Sequence, residues 1–212
     1  MKIIEIRNVV KRFGDGVALN NVTVTFEEGK IHGLIGRNGS GKTVLLKCIC
    51  GYIYPDEGVV TVNGKVIGKD IDMAQNVGVI IESPGFLPNY SGFKNLLFLA
   101  KIRNSISKDD ICKAMEDVGL DSRSRKHVGN YSMGMRQRLG IAQALMEDPS
   151  LLILDEPMNG LDRHGVDEIR ELLLRLKKAG KTILLASHNT EDISLLCDTV
   201  HQMDGGEIAR VR

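Results

Sequence analysis

The pattern of hydrophobic and polar positions predicts a chain in which short strands alternate with helices. Apolar or alternating runs rich in Val and Ile are typical of strands, and apolar residues three or four apart are typical of helices. Strands are predicted at 3–9, 22–26, 30–35, 59–62, 65–67, 77–81, 151–157, 181–186, 199–203 and 207–211. Helices are predicted at 43–50, 92–104, 107–118, from Ser132 to Asp148, from Asp162 to about Lys178, and at 191–197.

The segment 83–148 differs from the rest because it contains no convincing strand. It opens in a loop interrupted by proline and glycine, 82–88, and continues as helices. The pattern therefore predicts an α/β protein with a helical subdomain at 83–148, inserted into a core made of 1–82 and 149–212. Within the core, the first strand pair and the hairpin signal Asn63-Gly64 predict an antiparallel β-subdomain.

A glycine-rich segment lies between the predicted strand 30–35 and the predicted helix 43–50. It reads Gly36, Arg37, Asn38, Gly39, Ser40, Gly41, Lys42 and Thr43. This matches the Walker A pattern G-x-x-x-x-G-K-[ST] at every fixed position. Such a loop turns its N–H groups toward phosphate oxygens, and the start of the following helix adds a partial positive charge.

Lys42 and Thr43 carry the chemistry of this segment. The Lys42 ammonium is placed to reach the β- and γ-phosphates, and the Thr43 hydroxyl is placed to bind Mg²⁺. The alternative is a glycine-rich turn that contains Lys-Thr by chance. Because a strand precedes the segment and a helix follows it, the sequence favours a nucleoside triphosphate site.

Two carboxylates end the apolar strand at 151–157. A continuous apolar strand is typical of a parallel sheet covered on both faces, and ligands bind where such strands end. Asp155 is predicted to hold Mg²⁺, largely through water, and Glu156 to orient and polarise the attacking water. His188 follows the next strand, at 181–186. It is either a polar loop histidine or, beside a phosphate site, a donor to the γ-phosphate.

Phe13 lies in a polar, glycine-containing loop between the first two predicted strands. Its ring is able to stack on adenine. The alternative is an aromatic side chain that covers the edge of the sheet, and the residues alone favour that alternative.

Composition and charge exclude several classes of protein. Hydrophobic residues make up 42% of the 212 positions and charged residues 26%, with a formal net charge of +1. This composition is that of an ordinary globular protein. The small net charge produces no strong overall electrostatic field that would attract nucleic acid. The basic cluster Arg123, Arg125, Lys126 and His127 is interpreted as a solvated loop. The four cysteines fit no zinc pattern, no apolar run is long enough to span a membrane, and the N-terminus is typical of a strand rather than a signal peptide.

The ordered motifs resemble the ATP-binding cassette family over nearly the whole chain. They include a Ser-x-Gly helix start at Ser132 and Gly134 and a turn that ends at Asp162. The resemblance implies a P-loop NTPase with a RecA-like core, and a homodimer that sandwiches two ATP molecules with Mg²⁺. It implies that Ser132 and Gly134 contact the γ-phosphate bound by the partner chain. It also implies that Phe13 stacks on adenine, that Asp162 crosses the dimer and that His188 is a switch histidine.

Two positions depart from the family pattern. The usual signature Leu-Ser-Gly-Gly-Gln is Tyr-Ser-Met-Gly-Met at 131–135, and the usual Gln of the loop entering the helical subdomain is Glu82. Glu82 is able to meet Mg²⁺ or water, but it adds negative charge near the triphosphate. Together the two stretches resemble ATPases of the bacitracin and lantibiotic export type, which are often longer at the C-terminus.

The resemblance implies an ATPase subunit that drives a separate integral-membrane permease, here for export of a peptide antibiotic or similar amphipathic compound. The expected location is cytoplasmic, peripheral on the inner face of the cell membrane, with the helical subdomain and the Glu82 loop as the docking surface. The alternative is a soluble cassette ATPase that acts on nucleic acid or the ribosome. A P-loop kinase or GTPase fits less well, because no Asn-Lys-x-Asp base-reading motif is recognisable.

Overall fold

The computed structural model describes residues 1–82, 85–103 and 106–212. Its strands are β1 Lys2–Phe13, β2 Gly16–Glu27, β3 Ile31–Ile35, β4 Glu57–Val62, β5 Lys65–Val66, β6 Val77–Ile80, β7 Leu151–Asp155, β8 Thr182–Ala186, β9 Thr199–Asp204 and β10 Glu207–Arg210. Its helices are α1 Lys42–Cys50, α2 Gly92–Arg103, α3 Lys108–Asp117, α4 Met133–Leu145, α5 Arg163–Lys178 and α6 Thr190–Leu196, with a 3₁₀ turn at Val128–Asn130.

The strands form two sheets. The larger has the order β10-β9-β3-β8-β7-β6 and is parallel except for β10. Its central strands β3, β7 and β8 are buried along almost their whole length, as their continuous apolar sequences predict. The smaller sheet, β2-β1-β4-β5, is antiparallel. The predicted α/β fold with an antiparallel sheet is confirmed.

The first hairpin is longer than predicted. The strands expected at 3–9 and 22–26 are each 12 residues long, and they meet at a two-residue turn, Gly14-Asp15. Asn8 and Asn21 have φ of 50°, and the ladder shifts register around them. These irregularities interrupt the alternation of apolar residues, so the sequence pattern predicted both strands too short.

Helices α2, α3 and α4 follow one another between β6 and β7. The predicted cap at Ser107 is present, because its side chain accepts a hydrogen bond from the Asp110 amide while the Asp110 carboxylate accepts one from the Ser107 amide. Ser83 and Pro84 of the predicted loop lie outside the described residues, as does Asn104, the predicted end of α2. The domain boundaries stay a prediction. Within the described ranges, no helix is both long and apolar enough to cross a bilayer.

Successive residues of the parallel strands pack into two separate apolar clusters. Leu152 and Leu154 belong to the cluster that includes the buried side chains of α2 to α5, whereas Leu151 and Ile153 belong to the cluster beneath α1 and the antiparallel sheet. Alternate side chains of a strand point to opposite faces, so the two clusters cover both faces of the large sheet. With both faces covered, the edge at which β3, β7 and β8 end stays accessible. The predicted site residues follow the strands at this edge.

Two buried histidines pack on the same ring, Phe26. The centroid of the Phe26 ring lies 5.2 Å from that of His32 and 5.1 Å from that of His201. His32 Nε2 lies 2.8 Å from the Glu27 carbonyl, which only accepts, so this nitrogen carries the proton and Nδ1 accepts from the Thr199 hydroxyl at 2.7 Å. In the described part of the chain, His201 Nδ1 has no hydrogen-bond partner.

We expect the substitution His201→Leu to reduce the acid sensitivity of the fold. Burial lowers the pKa of His201 to about 4, whereas an unfolded histidine titrates near about 6.5. As the pH falls between those values, the unfolded state binds a proton that the folded state does not, so stability is lost. Urea unfolding measures the free energy of unfolding at about pH 7 and about pH 4.5. Between these pH values, the wild type should lose on the order of 2 kcal/mol more of this free energy than His201→Leu does. Equal losses in both proteins would contradict this assignment.

Candidate functional site

A cavity of about 490 Å³ opens at the edge where β3 and β7 end. It is lined by Ala18, Asn38, Gly39, Ser40, Gly41, Lys42, Thr43, Val44, Glu82, Met133, Gln137, Asp155, Glu156 and Asn159. The structure therefore brings together most of the predicted Walker A segment, both predicted carboxylates and Glu82. These residues are far apart in the sequence and meet because parallel strands of one sheet end at the same edge.

The loop between β3 and α1 needs glycine at two positions for steric reasons. A Cβ on Gly41 would lie 2.5 Å from the Ala18 carbonyl oxygen, and one on Gly36 would lie 2.4 Å from the Met203 carbonyl oxygen. Gly41 also has φ of 103°, which side chains rarely adopt. The fixed glycines of the motif thus let the loop pack closely against β2 and β9.

The N-terminus of α1 has the features of an anion site. Its cap, Gly41, offers no side-chain hydrogen bond, and the first turn contains no acidic residue. The Ser40 hydroxyl is buried and, among the described residues, has no partner. The Lys42 ammonium donates within the same loop, to the carbonyl of Gly36 at 2.7 Å and of Arg37 at 3.1 Å. Uncapped amides, an unpaired hydroxyl and an ammonium group together fit a polyphosphate.

The Thr43 hydroxyl lies beside the first carboxylate. It donates a hydrogen bond of 3.0 Å to Asp155 Oδ2. Burial raises the pKa of Asp155, the neighbouring charge of Glu156 raises it further, and the Thr43 hydrogen bond opposes both. A cation beside these two oxygens would relieve the cost of the buried charge. Hydroxyl and carboxylate oxygens are hard donors, so the pair fits Mg²⁺.

Glu156 and His188 are in direct contact, which the sequence pattern does not predict. Glu156 Oε1 accepts a hydrogen bond from the His188 amide at 3.0 Å and lies 2.7 Å from His188 Nδ1. The Glu156 amide in turn donates to the Ala186 carbonyl at 2.9 Å. Because β7 and β8 are adjacent and parallel, the residues after their ends face each other. These contacts orient a carboxylate that lines the cavity, where a general base for activating water is needed.

Glu82 enters the cavity with a partner of its own. Its Oε1 lies 2.6 Å from the Lys47 ammonium on α1. Glu82 has φ of 62°, a left-handed conformation that is uncommon for a glutamate. The negative charge that Glu82 adds near the triphosphate site is therefore partly balanced by Lys47. Its role as a magnesium ligand stays a prediction.

Comparison with known proteins decides the family. Residues 19–159, about two thirds of the chain, match the family model described as ABC transporter. The chain belongs to the ABC transporter family. It is an ATP-binding and ATP-hydrolysing subunit, and its cofactors are ATP and Mg²⁺, as predicted.

The curated relatives match this ABC ATPase over almost its whole length. It is 44% identical over 206 residues to the uncharacterized ABC transporter ATP-binding protein YybJ of Bacillus subtilis, covering 97% of this chain and 94% of that one. It is 43% identical over 208 residues to the bacitracin transport ATP-binding protein BcrA of Enterococcus faecalis, covering 97% and 68%. The predicted resemblance to peptide-antibiotic transport ATPases is confirmed.

A solved structure of a nucleotide-free ATP-binding cassette from an ABC transporter has the same fold. The TM-score is 0.86 at 27% sequence identity, and the match covers 100% of this chain and 92% of that one.

Phe13 of the ABC ATPase lies at the tip of the first hairpin. It is 53% exposed, and the Lys11 ammonium lies 5.4 Å from the centroid of its ring. Phe13 does not line the cavity, although Ala18 on the adjoining strand β2 does. An exposed aromatic ring near a nucleotide cavity is available for stacking, and the adenine contact stays a prediction.

The predicted dimer residues lie outside the cavity of their own chain. Ser132 caps α4 by accepting a hydrogen bond from the Met135 amide at 3.2 Å. Asp162 caps α5 through the Gly165 amide at 2.9 Å. Gly134 packs against the carbonyl of Gly160.

Met133 and Gln137 also line the cavity, although no sequence motif marks them as site residues. They are four residues apart on α4 and so lie on one face of that helix. Helical spacing was the available signal, but nothing in the sequence placed that face against the site.

Proposed function

We propose that this chain supplies energy to an exporter of peptide antibiotics or similar amphipathic compounds. The observation that carries the proposal is the 43% identity to a bacitracin transport ATP-binding protein, over 97% of this chain. The export substrate would be selected by a separate integral-membrane permease, with this chain bound at the cytoplasmic face of the membrane. ATP binding would bias the assembly toward one conformation and hydrolysis would return it.

The residues of the cavity would divide the reaction among themselves. The loop 36–43 holds the phosphates, Lys42 compensates the charge of the β- and γ-phosphates, and Thr43 with Asp155 holds Mg²⁺. Glu156, which lines the cavity and contacts His188, acts as the general base toward the attacking water. In-line attack on the γ-phosphorus then breaks its bond to the bridging oxygen and releases ADP and phosphate. Bound Mg²⁺ supplies charge neutralisation at the phosphates.

A homodimer would account for the position of Ser132 and Gly134. Both lie at the N-terminus of α4 but outside the cavity of their own chain, and Ser132 is exposed. In a dimer with the two cavities at the interface, the N-terminus of α4 from one protomer would complete the phosphate site of the other. ATP would then be bound between two copies of this chain.

A groove beside β6 is the proposed contact surface for the permease. It has a volume of about 470 Å³ and runs between β6, α2 and the C-terminal part of α4. Its apolar lining includes Val79, Leu99, Ile102 and Met146. Ile102 is 79% exposed and, together with the other apolar residues of the groove, forms an apolar surface that a partner would cover. The occupant we propose is a short apolar cytoplasmic segment of the permease.

The proposed function is tested by bacitracin resistance in a host that expresses the chain together with its integral-membrane permease. We expect wild type to raise the bacitracin concentration needed to stop growth, and Glu156→Gln to abolish that protection at equal expression. Identical sensitivity with wild type and Glu156→Gln would reject bacitracin-type export. Salt-dependent binding of the pure protein to RNA would instead favour the ribosome or nucleic-acid alternative.

We expect Ile102→Glu to weaken co-purification with the permease by about tenfold or more, because a charge would be buried in an apolar contact. ATP affinity should stay unchanged, since Ile102 does not line the nucleotide cavity. Leu195→Glu on α6 is the matched control, because Leu195 is also exposed, at 59%, and does not line the groove. Equal permease recovery with both variants would remove the groove from the contact.

A further inference from the structure

The first turns of α4 pack directly on the segment that follows β7. Met133 covers the backbone of Gly160 so closely that a Cβ there would lie 2.5 Å from Met133 Cγ. A Cβ on Gly134 would lie 2.9 Å from the Gly160 carbonyl oxygen. These contacts leave no room between the helix and the turn at Gly160. The N-terminal part of α4 is therefore packed tightly against the segment that follows Asp155.

One side chain of α4 reaches Glu156 across this packed contact. Gln137 Nε2 donates a hydrogen bond of 3.3 Å to the backbone carbonyl of Glu156. A carbonyl oxygen only accepts hydrogen bonds, so the amide nitrogen of Gln137 must be the atom that faces it. Gln137 also lines the nucleotide cavity. The side chain thus joins α4 to the main chain of the residue to which we assign base catalysis.

The backbone conformation of Glu156 requires such support. Its φ is 49°, in the left-handed region that glutamate rarely adopts. It also precedes Pro157, and a following proline favours an extended conformation. Strained conformations of this kind persist only where neighbouring groups hold them. Here Ala186 accepts from the amide before the Glu156 Cα, and Gln137 donates to the carbonyl after it.

We propose that Gln137 is a positioning residue for ATP hydrolysis: by holding the Glu156 carbonyl, it keeps the Glu156 carboxylate directed at His188 and the cavity. Gln137 acts on the orientation of the base and takes no part in proton transfer. The inference rests on the proposed role of Glu156 as general base. Helix α4 would then contribute to two sites. Gln137 would position Glu156 in its own chain, and the N-terminus of α4 would contact phosphate in the partner's site.

The test is the substitution Gln137→Met, which keeps the length of the side chain and removes the donor. We expect kcat for ATP hydrolysis to fall by about 10- to 100-fold, the usual effect of a misplaced catalytic group. The KM for ATP should stay within about twofold, because the phosphate-binding loop is untouched. Gln202→Met is the control, because Gln202 is an exposed residue of β9 outside the cavity. Its kcat and KM should equal those of wild type.

A double variant separates positioning from other effects. If Gln137 acts through Glu156, then adding Gln137→Met to Glu156→Gln should leave the residual single-turnover rate unchanged. A further fall in that rate would overturn the inference, as would a wild-type kcat in Gln137→Met or a rise in KM at constant kcat. Wild-type turnover in Glu156→Gln alone would reject the catalytic role of Glu156 itself, and is therefore distinct from a failure of Gln137→Met.

Discussion

Replacing Glu156 by glutamine is expected to slow ATP hydrolysis by about 10²–10⁴-fold, the usual contribution of a general base. Glutamine has nearly the same shape but does not accept a proton from water at neutral pH. Glu156 also accepts the His188 amide hydrogen bond, and the glutamine oxygen is able to keep that contact. The loop 36–43 and Asp155 remain intact, so ATP binding should persist. The variant is expected to hold ATP without hydrolysing it.

Phosphate release under saturating ATP measures the rate, and equilibrium titration with ATP measures affinity. Glu171→Gln provides the matched control, because Glu171 is an exposed carboxylate on α5 that does not line the cavity. Its turnover should equal that of wild type. Wild-type turnover in Glu156→Gln would exclude Glu156 as the base, whereas a parallel loss of ATP affinity would indicate a role in binding.

Replacing Lys42 by alanine is expected to weaken ATP binding by about 10- to 100-fold, which corresponds to the loss of one hydrogen bond to a charged group. Lys42 is 8% exposed, and its ammonium lies in the concave side of the phosphate loop against the Gly36 carbonyl. Bound phosphate oxygens would lose their cationic partner in the variant. The ammonium would no longer offset the repulsion among the phosphates.

Titration of a fluorescent ATP analogue into Lys42→Ala measures this loss directly. Lys178→Ala is the control, because Lys178 is an exposed lysine at the end of α5. An unchanged dissociation constant in Lys42→Ala would contradict the assignment. The two main variants should therefore have different effects. Glu156→Gln should lower the rate of ATP hydrolysis, and Lys42→Ala should lower the affinity for ATP.

The local motifs could be predicted from the sequence because each depends on nearby residues. The turn before α1 contains Gly41 with φ of 103°, a conformation that favours glycine, and a Lys-Thr pair follows at a fixed spacing. Strand β7 is apolar throughout and ends at Asp155. In both segments, the residues that carry the chemistry directly follow those that determine the backbone, so spacing along the chain is sufficient.

Contacts between distant segments could not be predicted in the same way. The pairs Glu82–Lys47 and Glu156–His188 depend on how α1 and β8 pack against other elements. The hydrophobic periodicity of the sequence does not predict which of these elements pack together. The Gln137 hydrogen bond is a further example, because helical spacing identifies the face of α4 but not the backbone carbonyl that this face meets.

Helix α4 has one end at the nucleotide cavity and the other at the groove beside β6. Met133 and Gln137 line the first, and Ala144 lines the second. Thirteen residues of helix span about 20 Å and resist bending. A force on α4 at the groove would therefore tilt the whole helix and move Gln137 relative to Glu156, so movement of the permease would change the rate of ATP hydrolysis.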